Sequence, residues 1–162
     1  MSHRPPRLIV GVDSTEGSVE ALRWAAHEAA RRSWPLHVIT CAELPVAVEA
    51  GLIGSGVLHG ASTEAIVSDQ HGVNQGAVNL ARSFGLSVEV TGETLIGAPA
   101  YALVGASCED DIVVVGATSH PGRLTDVLGS VATSVAHRSK GAVVVVHGHS
   151  RRDQEIRRIA VG

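Results

Sequence analysis

Aromatic side chains are almost missing from this sequence: Trp24, Trp34, Phe84 and Tyr101 are all it has, 2% of 162 residues. A core for a chain of this length must therefore come from Val, Ile, Leu and Ala, within a hydrophobic share of 44%. That balance suits parallel strands buried under Ala-rich helices better than an antiparallel sandwich. Cysteine is scarce as well. Cys41 and Cys108 make no CxxC pair and no metal-ligand spacing, which excludes a disulfide scaffold and points to a reducing compartment. Positive charge is not in excess, with 13 Lys and Arg against 16 Asp and Glu. A duplex DNA or RNA binder needs a basic face to neutralise phosphates, and the only dense basic clusters lie near the ends, at residues 4–7 and 151–158.

No apolar run approaches the ~20 residues of a membrane span, and the polar, Pro-rich opening at residues 1–7 is no secretory signal. These absences predict a cytoplasmic protein with no membrane or nucleic-acid partner. No GxxxxGK[ST] sequence, catalytic carboxylate pair or nucleophile–base pair is legible either. With no Lys or metal-binding carboxylate evident for the phosphates, fast phosphoryl transfer lacks its usual support. At most a slow ATPase is expected.

What is present is a regular alternation of strand and helix signals. Residues 112–115 (Ile-Val-Val-Val) and Ala142–Val146 are short, β-branched, unbroken apolar runs, the mark of strands buried on both faces. Residues 8–12 and 36–40 are weaker versions, and the alternation over 86–90 predicts an edge strand. Residues 16–32 predict a helix, with Val19, Leu22, Ala26 and Ala29 at three- and four-residue spacing. Ser14 or Thr15 can cap it and Trp34-Pro35 stops it. Residues 63–84 predict a second helix, which Gly72 and Gly76 each weaken by about 1 kcal/mol relative to Ala. Pro99 opens a third, and residues 130–139 form a fourth. The order β-α-β-α-β-α-β-α-β predicts an α/β fold: a doubly wound, five-stranded parallel sheet with helices on both faces. The Gly-rich stretch 44–62 has no period and reads as a loop near the site.

In an open sheet of this kind ligands sit beyond the carboxyl ends of the strands, where strand order reverses. The first strand ends at Asp13-Ser14-Thr15. The fourth runs into Gly116-Ala117-Thr118-Ser119-His120-Pro121-Gly122-Arg123 and on to Gly129-Ser130 at a helix start. Glycines admit close backbone approach to a phosphate, and the N–H groups of a helix start attract anions. Ser130 adds a hydroxyl, and Arg123 a positive charge. Each sign is weak alone: an Asp in this place is as often a helix cap as a ribose acceptor, and a glycine loop often only ends a strand.

Together these residues resemble the universal stress protein family, in its ATP-binding form. The resemblance is carried by Asp13 after the first strand, Gly97-x-Pro99 before the third helix, and Gly116 with Gly129-Ser130 before the fourth. It extends over about residues 8–146 and implies an adenine nucleotide alpha hydrolase-like, Rossmann-like domain over residues 1–148. It also implies a nucleotide-binding stress-response or regulatory function, with ATP at the carboxyl ends of the first and fourth strands. Asp13 would hold the ribose. Val12 and Cys41 would frame the adenine, with Val115 beside them, and Gly116, Ser119, Gly129, Ser130 and Val131 would line the ribose and phosphates. The family motif runs Gly, two residues, Gly, nine residues, Gly-Ser/Thr, and its second glycine falls on Ser119 here. A Cβ at that point costs about 1 kcal/mol or more if the backbone needs a positive φ, so cyclic AMP is the alternative ligand. Mg2+ or Mn2+ is the ion implied with the phosphates. A further alternative is a dimerisation or scaffold module with a degraded site. The resemblance implies a homodimer, or pairing with a tandem domain, through the exposed apolar edge Ala142–Val146.

Other groups have plainer readings. His147-x-His149 lacks a third ligand and reads as a solvated tail; Glu109-Asp110-Asp111 reads as an acidic turn, His120 as a solvated loop residue. Residues 157–162 (Arg-Arg-Ile-Ala-Val-Gly) echo 6–11 (Pro-Arg-Leu-Ile-Val-Gly). Residues 149–162 are accordingly expected to be a linker and the first strand of a truncated second domain, or else a frayed tail.

Overall fold

The computed structural model describes residues 4–44, 61–117 and 128–147. Its elements follow the alternation read from the sequence: β1 (Leu8–Gly11), α1 (Glu16–Arg32), β2 (Leu36–Ala42), α2 (Ala61–Ser83), β3 (Val90–Ile96), α3 (Pro99–Ala106), β4 (Ile112–Gly116), α4 (Ser130–Arg138) and β5 (Ala142–Val146). The five strands form one sheet in the order β3-β2-β1-β4-β5, and every neighbouring pair is parallel. The chain winds outward from β1 in one direction and then, from β4, in the other. The reversal falls between β1 and β4.

Successive strand residues point to opposite faces, and the sheet divides its apolar side chains accordingly. Leu8, Val10, Leu36, Val38, Ile112 and Val114 face α1 and α2 and pack against Ala21, Leu22, Ala25, Ala26, Ala29, Ala77, Val78 and Ala81. Ile9, Ile39, Val113 and Val115 face α3 and α4 and pack against Ala100, Leu103, Ala132 and Val135. Small Ala side chains let the helices lie close over the branched strand residues, which is how a core with few aromatics fills its volume.

The predicted ends of α1 are its observed ends. The Thr15 side chain accepts from Ser18 N–H, and Ser33 closes the helix in the left-handed conformation at φ 56°. Trp34 N–H then donates back to the Ala29 carbonyl (2.9 Å), the hydrogen-bond pattern of a left-handed helix stop.

The third strand departs from the sequence expectation. It begins where the predicted segment 86–90 ends. Gly85, at φ +68°, terminates the second helix region, and Leu86 and Val88 pack into the α1–α2 core from a turn rather than a strand. The strand itself carries Thr91, Gly92, Glu93 and Thr94, which mask its period. Gly92 is required by packing: an added Cβ would run into the Asn74 amide and the Val78 side chain of α2. Asn74, only 1% exposed, uses the space to donate to the Val38 and Glu93 carbonyls (3.1 and 3.0 Å). The edge position expected for this strand is the position it takes.

Segment 44–62, apart from its ends, and the tail expected at 149–162 lie outside the described residues. Among the described residues no helix is long and apolar enough to cross a membrane.

Candidate functional site at the carboxyl end of the sheet

The reversal between β1 and β4 leaves a cleft at the carboxyl ends of the strands, as the topology requires. It holds a cavity of about 120 Å³. Its floor comes from the strand ends: Gly11, Val12 and Asp13 after β1, Ile39 and Cys41 on β2, Val115, Gly116 and Ala117 at β4. Thr15 and Ser18 line it from the start of α1, Pro99 and Leu103 from α3, and Gly129, Val131 and Ala132 from α4. Val12, Asp13, Cys41, Val115, Gly116, Gly129 and Val131, all singled out from the sequence, thus meet in one place. Ser130, the first residue of α4, sits between two wall residues without forming a wall itself. Ser119 and the loop residues His120 and Arg123 lie outside the described residues.

The cavity is apolar on one side and polar on the other. Val12, Ile39, Val115 and Leu103 are buried and form a greasy floor. Cys41 belongs with them: burial, then the nearby Glu43 carboxylate, pushes its thiol up to about 11. It is a neutral, weakly polar wall at physiological pH, not a thiolate nucleophile.

Asp13 supplies the charge. Its Oδ1 accepts from the Thr15 N–H (2.8 Å) and the Thr15 hydroxyl (2.5 Å). Ser18 braces the backbone beneath it, its Oγ accepting from Asp13 N–H (3.2 Å) and donating to the Asp13 carbonyl (2.8 Å). Burial alone would raise the Asp13 pKa, but the hydrogen bonds from the Thr15 side chain and backbone, with Ser18, outweigh it and hold the carboxyl below its ordinary range. Asp13 is therefore an exposed, fixed anion.

Opposite it stands the start of α4. Its N-cap, Gly129, offers no side chain, and among the described residues no side chain caps the first turn, whose N–H groups are the kind that meet an acceptor. At α3, Ala98 is the cap and Pro99 the first helical residue; Pro99 has no N–H and Tyr101 N–H donates to the Ala98 carbonyl (3.1 Å), so that start offers fewer donors. Thr15 plays the part of side-chain cap at α1, whereas neither Ala98 at α3 nor Gly129 at α4 has a side chain that can.

Gly116 turns out to serve packing as well as the cavity. A Cβ there would strike the Gly17 carbonyl of the first turn of α1, and one on Gly17 would strike the Ala117 carbonyl at 2.5 Å. The paired glycines let α1 start in contact with the end of β4, which brings Asp13 and Gly116 to the same cavity. The resemblance implies only a ligand-facing role for Gly116, lining the ribose and phosphates. The sequence reading overlooked Thr15 as more than a cap, and Ser18, Ile39, Pro99 and Leu103 as walls. The Asp13-x-Thr15 spacing, at which an Asp side chain accepts from the backbone two residues on, was the legible signal.

The family model of the universal stress proteins, described as "Universal stress protein family", matches residues 6–147. The chain belongs to this family. A universal stress protein of Mycolicibacterium smegmatis is 36% identical over 146 residues, covering 87% of this chain and 48% of its own. One of Mycobacterium tuberculosis is 31% identical over 151 residues, covering 91% and 50%. The chain thus spans about half the length of these curated relatives. Among solved structures, a universal stress protein from Archaeoglobus fulgidus superposes with a TM-score of 0.66 at 21% identity, over 88% of this chain and 99% of that one. A universal stress protein solved in complex with cAMP gives 0.62 at 27% identity, over 88% and 97%. An Archaeoglobus fulgidus universal stress protein in complex with dAMP gives 0.56 at 19%, over 88% and 98%.

Proposed function

We propose that this universal stress protein binds an adenine nucleotide in the cleft between β1 and β4, as a regulatory binder rather than a fast catalyst. The observation that carries the reading is the pairing, around one cavity, of the Asp13 carboxylate with the start of α4, whose N-cap Gly129 has no side chain. A carboxylate accepts from ribose hydroxyls, and the N–H groups of a helix start donate to phosphate oxygens. The two requirements of a nucleotide are met in one cavity, beside an apolar floor that suits a purine. The cAMP bound by a solved relative of 27% identity is of this chemical class.

In this reading Asp13 takes the ribose, Val12, Cys41 and Val115 flank the base, and Gly116, Gly129, Ser130 and Val131 face the ribose and phosphates. Ser119 takes the place of the family motif's second glycine. ATP is the proposed ligand, with Mg2+ or Mn2+ on its phosphates and cyclic AMP as the competing one. A homodimer through β5 is proposed on the apolar character of that edge strand, and light scattering showing a monomer at high micromolar concentration contradicts it. The cytoplasm is the proposed compartment and residues 1–148 the proposed domain.

Mass spectrometry of the small molecule that co-purifies, followed by calorimetric titration with ATP and cyclic AMP, tests the function. Micromolar binding of either is the expected result. No binding of either below millimolar contradicts it. A single-turnover assay at stoichiometric ATP addresses catalysis, and ADP release within minutes would overturn the binder reading.

A further inference from the structure

We infer that Thr15 is a positioning residue that turns Asp13 into a reader of the free ribose diol, and so sets which adenine nucleotides the cleft accepts. This rests on the nucleotide reading of the cleft and adds to it a specificity determinant.

The geometry is asymmetric. Thr15 spends two donors, its N–H and its hydroxyl, on the same oxygen, Asp13 Oδ1. Oδ1 is thereby saturated and the carboxylate plane pinned, because rotation about χ2 breaks both bonds together. Among the described residues no side chain donates to Oδ2, which is left as the acceptor available to a ligand. Ser18, itself only 5% exposed, ties the backbone of Asp13 from both its N–H and its carbonyl, so the pair cannot shift as a unit. A single anionic oxygen held in one place is complementary to a vicinal diol, which donates two hydrogen bonds to it. It repels a ribose phosphorylated at the 2′ or 3′ position. An unpinned carboxylate would swing to suit either.

Thr15 also accepts from Ser18 N–H (3.4 Å) as the cap of α1, so a purely structural role must be told apart from positioning. Three variants do so. Thr15→Asp keeps an acceptor suited to capping but has no hydroxyl to donate to Asp13; Thr15→Val has neither, and Thr15→Ser keeps both. The readout is the ratio of dissociation constants for 2′,3′-dideoxy-ATP and ATP, measured by calorimetry on the full chain, with a thermal melt of each variant as the folding control.

The wild-type ratio is expected at about 10 to 100, the worth of hydrogen bonds to a charged group. Thr15→Ser should retain it. Thr15→Asp and Thr15→Val should bring it close to that of Asp13→Ala. Diol discrimination should also fade at a higher pH in Thr15→Val than in wild type, because the hydroxyl bond that helps hold Asp13 ionised is lost while the backbone N–H bond at position 15 remains. Equal weakening of both ligands in the Thr15 variants, with the ratio unchanged, makes Thr15 only a helix cap and overturns this inference alone. A wild-type ratio near 1 with micromolar ATP binding overturns it too, leaving nucleotide binding intact. Failure of ATP to bind at all overturns the reading of the cleft and this inference with it.

Discussion

The two ends of the sheet each carry an aspartate and a cysteine, and they use them in opposite ways. At the amino end, Asp111 is 2% exposed and both its oxygens are engaged. Oδ1 accepts from Arg7 N–H (3.0 Å), and Oδ2 from Cys108 N–H (2.9 Å) and the Arg4 guanidinium (2.6 Å). Arg4 also donates to the Cys108 sulfur (3.2 Å), and Arg7 to the Ala106 carbonyl (2.8 Å). The cluster fastens the segment before β1 to the turn between α3 and β4. At the carboxyl end, Asp13 is exposed and half engaged, and Cys41 lines a cavity. One end spends its carboxylate wholly on its neighbours, with the buried Arg7 Nε left over; the other leaves part of its carboxylate open to the cavity. A site is recognised here by what its polar groups leave undone, not by how many there are.

Substitutions at the two aspartates should separate the two ends. Asp111→Ala strips the partners from two N–H groups and from part-buried guanidinium groups, and is expected to cost about 3 to 5 kcal/mol in urea denaturation. The fraction that remains folded should bind ATP with its affinity unchanged. Gly116→Ala drives a methyl group into the first turn of α1, with an expected loss of about 1 to 3 kcal/mol, and it should weaken binding as well because Asp13 hangs on that turn. Asp13→Ala reverses the pattern of Asp111: stability should change by less than about 1 kcal/mol, while ATP binding weakens by about tenfold or more. Comparable losses of stability at both aspartates would erase the contrast.

The cysteines sharpen it. Cys108 is exposed, whereas Cys41 is part-buried with its thiol near 11. Iodoacetamide at pH 7 should label Cys108 readily and Cys41 slowly, the Cys41 rate should climb toward pH 11, and ATP should slow labelling of Cys41 only. Mass spectrometry of each peptide reads this directly.

Two smaller effects lie outside both ends. Nothing lies within 4 Å of a Cβ added to Gly72 or Gly76, so Gly76→Ala should stabilise α2 by about 1 kcal/mol, seen as a rise in Tm. Glu28, paired with Arg31 and Arg32 at 2.6 Å each, is held at about 2 by those hydrogen bonds, chiefly that of Arg31. Its folded pKa lies below its unfolded one, so its contribution is present above about pH 4.5 and fades as pH falls toward 2. Glu28→Gln should cost about 1 kcal/mol at pH 7, since the Arg31 and Arg32 partners are 66% and 35% exposed and screened by solvent, and little at pH 2.

Much of this molecule could be read before its structure. The unbroken branched runs at β4 and β5 and the four-residue apolar spacing of α1 each reflect a single environment, burial on both faces or on one stripe, and periodicity reports that faithfully. β3 was misplaced because its residues answer to different neighbours: Gly92 to the amide of Asn74, Thr94 to Thr40 (3.2 Å), Glu93 to His37 (3.2 Å). A strand whose positions are set one by one has no period to find. Likewise seven of the proposed site residues converge on the cavity because strand ends are legible, whereas Leu103 and Ile39 carry no mark that tells a cavity wall from core. The double use of Gly116 was hidden for the same reason, since a missing Cβ does not say which neighbour requires its absence.

The central claim is that the carboxyl end of the sheet is the ligand end. Backbone amide NMR during titration with ATP tests it most directly. The expected result is shift changes at Val12, Asp13, Thr15, Cys41, Gly116, Gly129 and Val131, with Arg7, Cys108 and Asp111 unmoved. Saturable changes centred on the Arg4–Asp111 cluster, with those cleft amides still, would contradict it.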